Sequence, residues 1–160
     1  MRSFAPAPDH TPKQFQPRTL SDYFETIVRA MFNAGFTWQV VEAVWPHFHQ
    51  ALDQFDPKKV AQYEQSDLLR LLGNDKLIQS RSKLEAVISN AKRFMELVDG
   101  HNGFAGWLHS HKDFQATHKA LIEEFAYIGD YSAYWILFTW EEPVPRWEDW
   151  GPAHGYPLPE

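Results

Sequence analysis

Between residues 22 and 34, Phe24, Ile27, Val28 and Met31 recur every three or four positions with polar or small residues between them, which predicts an amphipathic helix with one apolar stripe. Asp22 reads as its N-cap, with Glu25 three residues on, and Gly35 as its stop. Thr37 caps a second helix whose Val41, Val44, Phe48 and Leu52 share a side; Pro46 removes a backbone donor and is expected to kink or shorten it. Asp56-Pro57 opens a short helix through Tyr63, and Ser66-Asp67 opens another that closes at Gly73. The clearest helix runs from Ser80 to Val98, where Leu84, Val87, Ile88, Ala91, Met95 and Val98 keep the 3-4 spacing; it is the expected central packing element. A loop from Gly100 to Gly106 and a turn at Trp107-Leu108 follow, then a helix marked by Leu121, Ile122 and Phe125. Tyr127-Ile128-Gly129 before Asp130 to Leu137 reads as helix, glycine hairpin, helix. No strand alternation persists and no internal repeat is present, so the expected fold is a compact all-α domain.

Residues 1–18 carry Pro6, Pro8, Pro12 and Pro17 with little apolar periodicity and are expected to form an extended or disordered Pro-rich arm, leaving residues 19–160 as a single domain. With 160 residues, 44% hydrophobic and 16% aromatic, the chain is long enough for one well-buried core and short for two. No apolar run approaches the length of about 20 residues that a membrane span needs, and the N-terminus lacks the apolar core of a signal peptide, so no membrane partner and a cytoplasmic location are expected. The absence of cysteine excludes disulfides, thiolate metal sites and a cysteine nucleophile.

The net charge of −6 argues against tight, sequence-independent binding to a phosphate backbone. Charge is unevenly spread, however. Lys76, Arg81, Lys83, Lys92 and Arg93 face only Glu85 within residues 76–93, a local basic face that either meets phosphates or is simply a solvated helix surface. His47 and His49 point about 200° apart on a helix and do not readily share a metal. His109 and His111 lie in a looser region near His101 and His118, where surface polarity is the favoured reading, so no metal site is expected. Neither a phosphate-binding glycine loop nor a nucleophile motif is present, and no cofactor is expected.

Asn33-Ala34-Gly35-Phe36-Thr37-Trp38 ends one helix, turns on a glycine and starts the next with a tryptophan. Together with Phe55-Asp56-Pro57-Lys58-Lys59-Val60 and Arg81-Ser82-Lys83-Leu84-Glu85-Ala86, this stretch resembles the 3-methyladenine DNA glycosylase I family of helix-hairpin-helix enzymes, over roughly residues 20 to 138. The resemblance implies a helix-hairpin-helix glycosylase fold, a DNA partner carrying damaged bases, and excision of an alkylated base. It places Trp38 where an extruded base is stacked, with Asn33 beside it, and the Gly129 hairpin together with Arg81, Lys83, Lys92 and Arg93 against the DNA backbone. An ordinary core tryptophan and an ordinary helical corner are the plainer readings of Trp38 and Gly129.

Two departures accompany the matches. Laid on the family pattern Leu-Glu-Gly-x-Gln-Ala-Gly-Leu-Ser-Trp, the chain has Ala30 where the family carries its functional glutamate, and it has no Cys/His zinc site tying its ends together. Glu25, about 140° round the helix from position 30, and Glu42, on the next helix, are not obvious substitutes. Other helix-hairpin-helix glycosylases place an essential aspartate about twenty residues after the hairpin glycine, a spacing that lands on Asp149, although Arg146-Trp147-Glu148-Asp149-Trp150-Gly151 lacks their usual setting. A non-catalytic descendant serving as a DNA-lesion or protein-interaction module is the second reading, and a binder of another flat ligand the third.

Overall fold

The computed structural model describes residues 12–156; the first eleven residues of the arm and the last four of the chain lie outside them. The described chain forms α1 (Leu20–Asn33), α2 (Trp38–Ala51), α3 (Pro57–Val60), α4 (Gln65–Leu72), α5 (Arg81–His101), α6 (Phe104–Leu108), α7 (Phe114–Glu124), α8 (Asp130–Thr139) and α9 (Trp147–Ala153). Among the described residues there is no strand, and no helix is long and apolar enough to cross a membrane.

The stripe of α1 is wholly buried at Phe24, Ile27, Val28 and Met31. Its cap is Thr19 rather than Asp22: the Thr19 hydroxyl accepts from the Asp22 amide at 3.1 Å, and the Asp22 carboxylate accepts in return from the Thr19 amide at 3.2 Å. This reciprocal box satisfies two orphan donors, so the helix opens at Leu20. α2 begins as expected, with the Thr37 hydroxyl accepting from the Val40 amide, but it runs through Pro46 to Ala51. Pro46 and Glu42 are both exposed, so the proline sits on the solvent side of the helix, where a missing backbone bond is least costly. α3 is capped by Asp56 with Pro57 at its first position and ends at Val60, short of Tyr63.

α5 is longer than its apolar pattern predicted, because Gly100 lies inside it and left-handed Asn102 ends it. It packs against α1, α3, α4 and α6, while α8 packs against α1 and α7. α8 shares the central role assigned to α5: Ser132 to Thr139 are all buried, so this helix is enclosed on every side. The described part of the arm is extended and docked on it, with the Phe15 amide donating to the Thr139 carbonyl at 2.9 Å and Gln14 Nε2 to the Phe138 carbonyl at 2.8 Å.

The C-terminal segment contains a helix that Pro143, Pro145 and Pro152 concealed. Trp147 and Trp150 of α9 are buried against α8, where Trp150 stacks on Tyr134 with centroids 4.6 Å apart and on His154 at 4.2 Å. Tyr134 Oη donates to the Pro145 carbonyl at 2.7 Å, fixing the approach to the helix. Tyr131 and Tyr156 complete this aromatic latch, and burial raises the Tyr131 phenol well above its ordinary value.

A left-handed turn joins α2 to α3, with φ of 53°, 55° and 57° at Asp53, Gln54 and Phe55. Each such residue costs roughly 1–2 kcal/mol. Phe55 is wholly buried and stacks on Trp45, while Asp53 accepts a hydrogen bond from Tyr63 Oη, so the flanking contacts hold the turn. Gln54 is exposed and brings no such compensation. Gln54→Gly is expected to raise stability by up to about 1 kcal/mol, read as a melting temperature higher by about 2–4 °C. A second outcome concerns alkaline pH. Above the ordinary tyrosine value of 10.0 the unfolded chain releases the Tyr131 proton while the folded chain keeps it, so stability falls as pH rises, by at most about 1.4 kcal/mol per pH unit for one such group. Tyr131→Phe is expected to flatten that decline in denaturant melts taken on either side of pH 10.0.

Candidate base-binding site

The corner between α1 and α2 rests on α5. Lys83, only 8% exposed, donates from Nζ to the Met31 carbonyl at 2.8 Å, closing the C-terminal end of α1 with a positive charge. The rings of Phe36 and Tyr127 lie 5.1 Å and 5.4 Å from the same nitrogen, and burial lowers the ammonium pKa from the usual lysine range. Position 35 is crowded, because a Cβ there would meet Nζ at 2.7 Å and push the lysine end aside.

The same helix holds the hairpin. Buried Asn90 exchanges two hydrogen bonds with the Ala126 backbone, at 2.9 Å and 3.0 Å, and Tyr127 Oη donates to Ser82 Oγ at 2.8 Å. The left-handed residue of the hairpin is Tyr127, with φ of 64°, whereas Gly129 is extended and caps α8 without a close neighbour. The residue that turns the hairpin is therefore two positions before the glycine to which the sequence pattern assigned it.

Trp38 is the first residue of α2 and is half-buried; Asn33 is the last of α1, with its Oδ1 buried and unpartnered. Ala30 is 2% exposed, enclosed by the core. Of the four cations assigned to DNA, Lys83 is committed to the corner, Arg81 pairs with Glu85 at 2.8 Å, and Arg93 pairs with Glu124 at 2.6 Å. Lys92 is exposed on α5.

A cleft of about 570 Å³ opens between α1, α2, α8 and the arm. Asp22, Glu25, Thr26 and Arg29 form its α1 wall, Glu42 its α2 rim, and Trp135 and Phe15 its apolar side. Arg29 Nη1 pairs with Glu42 at 3.2 Å and its guanidinium lies 4.6 Å over the Trp45 ring. Trp45 Nε1 donates to one oxygen of Glu25 at 2.8 Å. These polar residues were legible only as the spacing 22, 25, 26, 29 on the side of α1 away from its apolar stripe. Asp149 is exposed and lines a different cleft, with Phe114, His118, Trp150 and His154, that shares no residue with the first.

Four of the histidines have local partners: His101 and His111 bond the carbonyls of Leu97 and Leu108, His118 donates to that of Asp130, and His109 meets Glu142. Among the described residues no group of three metal-binding side chains is arranged around an ion. The zinc site that the family resemblance implies does not fit this chain, which has no cysteine and closes its C-terminal segment with stacked rings.

Comparison with known proteins bears on the family and the fold. Residues 16–133 match the model of the methyladenine glycosylase family. The DNA-3-methyladenine glycosylase of Haemophilus influenzae is 31% identical over 101 residues, which cover 63% of this chain and 52% of that one. The DNA-3-methyladenine glycosylase 1 of Escherichia coli is 30% identical over 87 residues, covering 54% and 46%. The chain thus spans about half the length of the curated relatives it matches. The structure of 3-methyladenine DNA glycosylase I from Staphylococcus aureus superposes with a TM-score of 0.70 at 20% identity, covering 82% of this chain and 81% of that one. With most of its helices inside the matched region and its fold shared with that glycosylase, the chain belongs to the methyladenine glycosylase family.

Proposed function

We propose that this protein binds double-stranded DNA carrying alkylated bases and receives an extruded base at the α1–α2 corner, acting as a base-excision repair glycosylase of the 3-methyladenine type. The observation that carries this reading is the joining of the Gly35 corner to the Tyr127–Gly129 hairpin through Ser82, Lys83 and Asn90 of α5. A glycosylase needs a base-receiving surface and a backbone-binding hairpin held in fixed register, and one helix holds both here. Trp38 supplies a flat face at the corner, and Asn33 supplies a buried acceptor with no partner in the protein. Arg81 and Lys92 are the cations free to meet phosphate, since the exposed Arg81–Glu85 pair is worth only about 0–1 kcal/mol and exchanges readily. A cytoplasmic repair enzyme fits this reading.

The second reading, a binding module without chemistry, rests on Ala30. That position has no carboxylate and no room for one, because a glutamate there would place a charge inside the core. Ala30→Glu is therefore expected to cost roughly 3 kcal/mol or more of stability, visible as a large drop in melting temperature, and does not serve as a restoring variant.

Release of 3-methyladenine from methylated duplex DNA by the full chain tests the enzymatic reading; tight, salt-sensitive binding with no release supports the module. Base stacking is worth about 1–3 kcal/mol, so Trp38→Ala is expected to lower kcat/KM, or affinity for a lesion, roughly 10- to 100-fold. Arg81→Glu and Lys92→Glu are each expected to reduce the slope of log affinity against log salt by about 1. Unchanged slopes in both variants would remove this face of α5 from the DNA interface.

A further inference from the structure

We infer that Asn90 of α5 is the positioning residue of the hairpin: its side-chain amide fixes the peptide groups of Ala126, and through them the backbone N–H groups offered to a phosphate, without touching DNA itself. This inference rests on the reading proposed above, in which the Tyr127–Gly129 hairpin meets the backbone of a duplex.

The hairpin does not hold its own shape. Tyr127 sits in the left-handed region, which a side chain disfavours, and Gly129 has open space beside it. The N–H groups of Ile128, Gly129 and Asp130 meet no acceptor among the described residues, so they are the donors this turn presents. Their direction follows from how the chain enters the turn, and it enters through Ala126.

Ala126 is gripped at both of its backbone groups. Asn90, 3% exposed, accepts from the Ala126 amide at 2.9 Å and donates to the Ala126 carbonyl at 3.0 Å, while its second N–H reaches Met31 Sδ at 3.3 Å. A flipped amide would set N–H against N–H and carbonyl against carbonyl, so one orientation alone makes these bonds. Asparagine is a poor helix former, and each of these bonds leaves the helix, so α5 gains nothing from it for its own sake. The Tyr127–Ser82 bond holds a side chain and leaves the peptide free to turn. Met31 is also the residue whose carbonyl receives Lys83, which places the end of α1 and the start of the hairpin on two side chains two turns apart on α5.

Asn90→Asp tests the assignment because the variant can be switched. Ionised, the new carboxylate accepts from the Ala126 amide but sets a second acceptor against the Ala126 carbonyl; protonated, its O–H donates there as the parent amide does. Burial raises a carboxyl pKa by up to about 3–5 units, so the two forms are compared at about pH 8.5 and about pH 5.5. Lys83, Arg93 with Glu124, and His118 with Asp130 are the charged and titratable groups around the hairpin; parent and variant share them, so the ratio of their affinities at each pH isolates the carboxyl. The probe is a short duplex with an abasic-site analogue, which leaves no base to release, and binding to the full chain is followed by fluorescence anisotropy. The variant is expected to bind roughly tenfold more weakly than the parent at the higher pH and within about threefold of it at the lower, as the competent hairpin is depopulated and restored. A ratio that does not change with pH, whether near one or low at both, overturns the inference. Hydrogen exchange is read alongside: the Ala126 amide is protected in the parent, loses protection in Asn90→Asp at the higher pH and regains it at the lower, while the α5 amides stay protected throughout. If Asn90→Asp does not fold, Asn90→Ala decides, with α5 still protected, Ala126 exchanging freely and the duplex bound roughly tenfold more weakly; parental affinity in that variant refutes the role. A parent that binds no duplex sinks the function proposed above, and the exchange pattern at Ala126 then decides alone whether Asn90 positions the hairpin. Duplex binding indifferent to position 90 sinks this inference and leaves that function standing.

Discussion

The buried amine of Lys83 is the interaction on which the arrangement of the corner depends. A lysine is seldom enclosed unless something offsets the lost hydration, and here the offset is the carbonyl end of α1 together with three aromatic rings. The amine caps a carbonyl at the end of α1 and packs close to Gly35, where the chain leaves the helix. The same helix carries Asn90, whose amide pairs with the hairpin backbone as a second peptide would. α5 therefore behaves as a ruler laid between two loops that are far apart in sequence.

That arrangement separates two tasks usually expected of one residue. Ala30 serves packing, since its methyl group fills a closed position between α1 and the core. Glu25 and Glu42, which border open space, come from the opposite side of α1 and from α2, and their positions are set by Arg29 and Trp45 rather than by the backbone alone.

Much of the fold was legible because apolar stripes report directly on burial. Phe24, Ile27, Val28 and Met31 face the core, and the all-helical composition and the corner at Gly35 follow from local rules. Where two residues competed for one role the local rules were ambiguous: Thr19 and Asp22 both cap helices, and only their mutual hydrogen bonding settles which one stands first. α9 was hidden because Pro143 and Pro145 precede it and Gly151-Pro152 fall within its seven residues, so two tryptophans three positions apart were the whole of its signal. The cleft was less legible still. Arg29 and Glu42, or Glu25 and Trp45, meet only because two helices cross, and thirteen or twenty residues of chain separate the partners. Lys83 was assigned with its neighbours to a basic face against the DNA backbone, because charged side chains ordinarily reach into water, and its burial is visible only when Met31 and Tyr127 are seen around it.

The aromatic latch formed by Tyr134, Trp147, Trp150 and His154 has a chemical consequence beyond holding the C-terminal segment in place. Reagents that methylate purine nitrogens are soft electrophiles, and thiolates, including those bound to zinc, are among their best protein targets. A chain end fastened by stacked rings offers such reagents neither a sulfur nucleophile nor a metal to displace. With no cysteine in the sequence, this segment is held by contacts that present no thiolate sulfur to the reagents that create methylated bases.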